Sequence, residues 1–223
     1  MALNRITEPA SNPVTREEAK LHLRVTDDEE NTLIDALITA ATQAVESNLR
    51  RSLISQQWRL SLDCFPANTF YPRKSLQEQI NERRNPSHMH GRRNEGREII
   101  LDNPKIISVD LIDYIDGNGA LQTLPASQYD VDTETEPGRL MLKEEYIWPE
   151  TKRVPNAVTI EYTSGYGATQ SAVPHAIRQA ILLTIGHYFE NREEVVMAPG
   201  IVVAVVPKTV DWILAPYRVK EFV

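Results

Sequence analysis

Residues 27–45, DDEENTLIDALITAATQAV, decide how the rest of the chain is interpreted. Large and small apolar residues recur there every three or four positions, which predicts a long amphipathic helix. They are Leu33, Ile34, Leu37, Ile38, Ala41, Ala44 and Val45. Asp27 and Glu30 have the spacing of a capping box, so we expect the helix to start near them. The small residues Ala36, Ala40, Ala41 and Ala44 form a stripe that predicts a close helix–helix contact.

Two further helices are predicted on either side of this one. Thr15 and Glu18 form another capping box, which precedes a short helix. Pro174 opens a third helix, in which Ile177, Ile181 and Ile185 lie on one face. We expect that face to pack against the face formed by Leu33, Leu37 and Ala41 of the second helix.

The C-terminal residues predict a last short helix and a tail. The helix covers residues 208–215 and stops at Pro216, because proline cannot continue a helix. Residues 217–223 then form a tail in which aromatic or aliphatic side chains alternate with charges. This pattern suits docking on a partner, with Tyr217 and Phe222 as anchors and Arg218 pairing with a carboxylate. The alternative is a tail that folds back on its own domain.

The middle of the chain has the pattern of strands instead of helices. Trp58, Leu60, Leu62 and Cys64 alternate with polar residues, which predicts a half-buried strand. Further strand-like runs occupy residues 98–101, 105–115, 121–124, 139–142 and 157–163. Turn-forming residues at 116–119 and 136–138 separate them. The pattern predicts a small antiparallel β unit.

These elements predict an α+β fold in which a helical core is split in sequence by the β unit. We expect the helical core to comprise residues 13–55 and 172–216. The β insertion then covers residues 56–171, with a basic loop at 72–97, and residues 217–223 form the tail.

The segment 72–97 is basic although the whole protein carries a net charge of −7. Its candidate contact residues are Arg73, Lys74, Arg83, Arg84, Arg92 and Arg93. Large apolar residues are nearly absent, so the segment cannot bury a core of its own. It is expected to be a solvated loop, or else a loop that contacts a channel lumen or a neighbouring subunit. A DNA-binding role is a weaker alternative, because few aromatic residues accompany the basic ones.

Composition and motifs exclude several other classes of protein. A single cysteine, Cys64, cannot form an internal disulfide, which favours synthesis in a reducing cytoplasm. Neither a signal peptide nor a membrane span is expected. Ser164 lacks the G-x-S-x-G context of a nucleophile, and His88 with His90 make only two ligands. We therefore predict no catalytic residue, metal or cofactor, and no enzyme activity.

Several motifs in a defined order resemble those of phage head-tail connector (adaptor) proteins. The first are PVTREEAKLHLRV from Pro13, DDEE from Asp27 and QWRL from Gln57. The middle ones are YDVD from Tyr129, PGRL from Pro137, WP from Trp148, and NAVTIEY from Asn156 leading to GYG at Gly165. The last are VPHAIRQAILL from Val173, HYFENRE from His187 and LAPYR from Leu214. The resemblance covers residues 13–219, apart from 72–97.

The resemblance implies a structural protein of the virion neck. Such a protein forms a ring of about twelve copies under the portal, joins the DNA-filled capsid to the next neck, stopper or tail protein, and encloses the DNA channel. DNA would pass transiently and without sequence-specific binding, and no membrane is involved. The protein would be made in the cytoplasm of a host bacterium. The nearest alternative is another neck role, that of a stopper or tail-completion protein.

Overall fold

The computed structural model describes residues 2–66, 96–191 and 208–219. The helices in these ranges are α1 (Arg16–Leu23), α2 (Asn31–Leu49), α3 (His175–Glu190) and α4 (Lys208–Leu214). The strands are β1 (Ala2–Thr7), β2 (Gln56–Leu62), β3 (Glu98–Leu101), β4 (Ile106–Ile115), β5 (Leu121–Thr123), β6 (Tyr129–Asp132), β7 (Gly138–Leu142) and β8 (Val158–Ser164). The mixed α+β class is therefore confirmed.

The strands form two sheets. One has the order β1-β2-β8-β4-β5, and the other has the order β3-β7-β6. β7 pairs antiparallel with both of its neighbours, and β4 pairs antiparallel with β5. Two of these strands, β1 and β6, were not predicted from the sequence.

The chain divides into two compact units. The first comprises residues 1–6, 57–101 and 106–163, and the second comprises residues 7–56, 102–105 and 164–223. The first unit contains the strands and has its own core, in which Leu60, Leu140 and Tyr162 are completely buried. Phe65 and Trp148 stack in this core with ring centroids 4.6 Å apart. Such stacked aromatic pairs contribute beyond the area that they bury.

The second unit contains the four helices around a separate core, where α2 packs against α3. The buried face of α2 is displaced from the predicted one. Ile34, Ile38 and Ala41 are buried, whereas Leu33 and Leu37 are half-buried. The alanine stripe was predicted only in part, because Ala41 is buried and Ala44 half-buried, whereas Ala36 and Ala40 are exposed. The facing residues of α3, Ile177, Ile181 and Ile185, are buried as predicted.

The two capping predictions had opposite outcomes. Thr15 accepts a hydrogen bond from the Glu18 backbone, and Glu18 accepts one from the Thr15 backbone, so the first capping box is confirmed. The second was wrong, because α2 begins at Asn31 after Glu30, whose side chain makes no capping hydrogen bond. In this turn Asp28 accepts hydrogen bonds from Lys20 and Asn31 instead. The competing side-chain partners explain why spacing alone misplaced the helix start.

The last two residues of the predicted basic loop belong to the β unit. Arg97 donates hydrogen bonds to the carbonyls of Leu142, Lys143 and Tyr146. The Gly96 carbonyl accepts a hydrogen bond of 2.8 Å from the Trp148 indole. Any deletion of the basic segment must therefore leave Gly96 and Arg97 in place.

Replacing residues 71–93 by a Gly/Ser linker should leave thermal unfolding cooperative and its midpoint nearly unchanged. We expect this because the replaced residues contain few apolar side chains that could anchor them in a core. Arg97→Ala is the matched control, and it should lower the midpoint because three carbonyls lose their donor. Calorimetry would measure both variants, and loss of cooperative unfolding in the linker variant would contradict the prediction.

Asp132 provides an electrostatic test of the three-stranded sheet. The Arg139 guanidinium, together with hydrogen bonds from Thr135 and Glu134, lowers the pKa of Asp132 from 3.8 to about 2. A lowered carboxyl pKa stabilises the fold above the unfolded value, and this stabilisation is lost as the pH falls from about 4 towards 2. Asp132→Asn should therefore lower the melting temperature at pH 7 and have a shrinking effect towards pH 2.5.

Asp130 on the same strand supplies the matched control for this pH series. It is exposed and lies 3.7 Å from the Lys143 ammonium group, so Asp130→Asn should have little effect at any pH. A difference between wild type and Asp132→Asn that stays constant from pH 7 to 2.5 would refute the electrostatic assignment.

Candidate docking surface at the C-terminal helix

Helix α4 is held in the helical core by one face. Val210 and Leu214, four residues apart, are buried there, and Ile213 packs beside them. The helical segment does not stop at Pro216 as predicted. A 3-10 turn, Ala215–Tyr217, includes that proline. Proline is tolerated in the first turn of a helical segment because its missing N–H has no intrahelical acceptor there.

The residues after Pro216 pack on the second unit as far as the structure describes them. The Tyr217 ring is half-buried against the helical core. Arg218 donates to Asn48 at 2.9 Å and to Asp211 at 2.8 Å. The Val219 N–H donates to the Leu49 carbonyl at the end of α2, where carbonyls lack partners within the helix.

These contacts correct the expected path of the tail. Residues 217–219 do not leave the body in extended form, because they are bonded to α2 and α4. Tyr217 and Arg218 are thus already engaged within the subunit. Phe222, the third predicted docking residue, lies outside the residues that the structure describes.

Trp212 is the aromatic residue that this helix exposes to solvent, and the sequence analysis did not single it out. The residue is 77% exposed, although tryptophan is usually well buried. The helical period could have predicted this exposure. Val210 and Leu214 lie on one face of the helix, and Trp212, midway between them in sequence, lies on the opposite face.

The predicted loop contacts cannot be placed on this surface. Arg73, Lys74, Arg83, Arg84, Arg92 and Arg93 lie outside the described residues, as do His88 and His90. In the described parts of the chain, no group of three or more His, Cys, Asp or Glu residues could hold a metal ion. None of the described helices combines the length and the apolar composition of a membrane span.

Ser164 has a structural role at the end of β8. It is completely buried, and its hydroxyl lies 2.8 Å from that of Ser52, with which it shares a hydrogen bond. Gly165 follows at a φ of +138°, and a Cβ there would lie 2.7 Å from the backbone of Ile54 and Ser55. Glycine is therefore required by a close backbone approach, and Ser164 is not presented as an exposed nucleophile.

Comparison with solved structures places this fold among chains of virion necks. The chain is similar to one in the neck of an empty gene transfer agent (GTA) particle computed with C6 symmetry, with a TM-score of 0.71 and 20% identity. It is also similar to a chain in the neck of a native particle computed with C12 symmetry, with a TM-score of 0.69 and 19% identity. Each match covers 100% of this chain and 98% of the other.

Comparison of the sequence with models of protein families gives a more specific result. Residues 14–110, a little under half of the chain, match the model of the family described as phage gp6-like head-tail connector protein. The resemblance to head-tail connectors is therefore confirmed for this part of the chain. No curated protein matches the sequence significantly.

Proposed function

We propose that this protein is a structural component of a virion neck, a head-tail connector, and has no enzymatic activity. The observation that supports this most directly is the connector-family match over residues 14–110. The fold adds support, because it is shared along the whole chain with chains of particle necks. In this proposal the protein resides in the virion and is made in the cytoplasm of the bacterial host.

The proposed assembly is a ring of about twelve copies, in which subunits contact each other head to tail. A similar chain occurs in a neck computed with C12 symmetry, which supports a ring of this order. The ring would lie under the portal, above the next neck, stopper or tail protein, and would enclose the DNA channel. The net charge of −7 suits such a channel, because an acidic protein repels phosphate weakly and lets DNA slide.

Within the subunit we propose the split helical core, 13–55 with 172–216, as one part and the β insertion, 56–171, as the other. The two compact units have nearly the same limits, which supports this division. Tyr217, Arg218 and Phe222 are proposed to dock on the portal, and beside their contacts within the subunit Tyr217 is half-exposed and Arg218 is exposed. The basic loop is proposed to contact the lumen or a neighbouring subunit.

Negative-stain microscopy of the purified protein, with and without portal rings, tests this function. We expect closed rings seated coaxially on the portal. Monomers that leave the portal unoccupied at saturating concentration would argue against a connector. Binding only to rings that already carry another neck protein would instead favour the stopper or tail-completion role.

A further inference from the structure

The five-stranded sheet has an edge that its own strands leave partly uncovered. β4 is ten residues long, but β5 pairs only with Asp113, Tyr114 and Ile115. The Leu124 N–H extends this contact by one residue, to the Ile112 carbonyl. Among the described strands, none pairs with residues 106–111 on this side of β4. A strand edge with open backbone groups is a template for another strand.

The uncovered stretch carries apolar and acidic side chains. Ile107 is 47% exposed, and Val109 and Leu111 are half-buried. Asp110 is exposed and accepts hydrogen bonds from Gln57, Ser108 and Thr163, which are neutral donors. This stretch of β4 therefore carries one negative charge among apolar groups.

The opposite end of the same sheet is formed by β1, which differs from β4 in charge. β1 has six residues, and Arg5 is the charged one. It contains neither lysine nor proline, the residues that commonly protect an edge strand from pairing. Leu3 packs on the core of its own unit, while Ile6 is 40% exposed.

We propose that β1 of one copy adds to residues 106–111 of β4 in the next copy, so that the five-stranded sheet continues from subunit to subunit. This inference rests on the proposed ring, because a ring needs two different surfaces that meet head to tail. The lengths agree, since the six residues of β1 span about 20 Å, as do residues 106–111 of β4. Arg5 on the added strand then lies in the field of Asp110.

The alternative pairings are less favourable electrostatically. A two-fold pairing of β4 with β4 would join two strands that each carry Asp110 in this stretch and no cationic residue. A two-fold pairing of β1 with β1 would join two strands that each carry Arg5 and no carboxylate. Only the head-to-tail pairing joins strands of opposite charge, and it also covers Ile107.

Cysteine cross-linking tests the contact in the full chain. Asn4→Cys and Ile107→Cys are combined in a Cys64→Ser background and treated with a short bis-maleimide after assembly. We expect a ladder of covalent oligomers from the double variant and none from either single variant. A dimer from Ile107→Cys alone would show two-fold pairing of β4 and would overturn the proposal. Cross-links that form only within single chains would also overturn it.

Microscopy of the same samples separates the two proposals. Rings without a ladder would refute the strand contact while leaving the connector function intact. If no rings form even on the portal, the connector function is wrong and the strand contact falls with it.

A charge substitution gives an independent measurement. Ile107→Lys should raise the concentration needed for half-maximal ring assembly about tenfold, because a lysine on an open edge opposes strand addition. Ile147→Lys is the matched control, since Ile147 is 85% exposed but lies outside the strands. Equal assembly of the two variants, with equal melting temperatures, would overturn the proposal.

Discussion

Ile38→Ala should lower the free energy of unfolding by about 2 to 5 kcal/mol, the range for removing a large aliphatic side chain from a packed core. Ile38 is only 2% exposed and lies on the face of α2 that packs against α3. The substitution leaves a cavity between two long helices, which cannot close without moving one of them. Chemical denaturation would measure the effect, because its midpoint shifts while its slope stays constant.

Leu37→Ala is the control for this prediction, because Leu37 is the adjacent apolar residue on α2 and is half-buried. Its loss should cost roughly half as much, since less area returns to water. If Leu37→Ala proves as damaging as Ile38→Ala, the buried face of α2 is the one predicted from the sequence and not the one in the structure.

The displaced buried face of α2 shows that apolar periodicity can predict a helix without predicting which of its faces is buried. Leu33, Ile34, Leu37 and Ile38 are all apolar, so the pattern predicts a helix but leaves its rotation open. The partner helix decides the rotation, and it buries the two isoleucines. The sequence alone predicted the start of α1 correctly, because the two residues of its capping box, Thr15 and Glu18, lie within one helical turn.

Long-range pairing explains the strands that were missed. β6 is Tyr-Asp-Val-Asp, four residues with two carboxylates, and it becomes a strand because β7 pairs with it. Opposite Asp132 in that pairing lies Arg139, which neutralises one of the charges. β1 is likewise a short segment whose neighbour β2 is about fifty residues away, which no local pattern reveals.

The docking segment was only partly predictable for the same reason. Alternation in residues 217–223 indicated an exposed tail, but the partners of Arg218 and Val219 are at the end of α2, about 170 residues earlier. The same local sequence is compatible with an exposed tail and with a segment that folds back on its own domain. The three-dimensional arrangement shows that the part packed on the subunit extends at least to Val219.

Truncation after Val219 and truncation after Pro216 should therefore have different effects. Removal of residues 217–223 takes away the half-buried Tyr217 ring, the Arg218 bonds to Asn48 and Asp211, and the cap on the Leu49 carbonyl. We expect it to cost about 1 to 3 kcal/mol of stability, because a lost partner leaves a helix end unsatisfied as well as exposing a ring. Removal of residues 220–223 alone should leave the melting temperature unchanged.

The shorter truncation isolates the docking role, since it removes Phe222 without the contacts of residues 217–219. If Phe222 anchors the subunit on the portal, this variant should melt normally but lose most of its attachment to portal-bearing, DNA-filled heads, because aromatic anchors dominate such interfaces. Phe222→Ser in the full chain should reproduce the loss, whereas Val223→Ser should not. Attachment can be measured by sedimenting the heads with labelled protein. Full attachment of the variant lacking residues 220–223 would exclude Phe222 as the anchor and leave the folded part of the subunit as the portal contact.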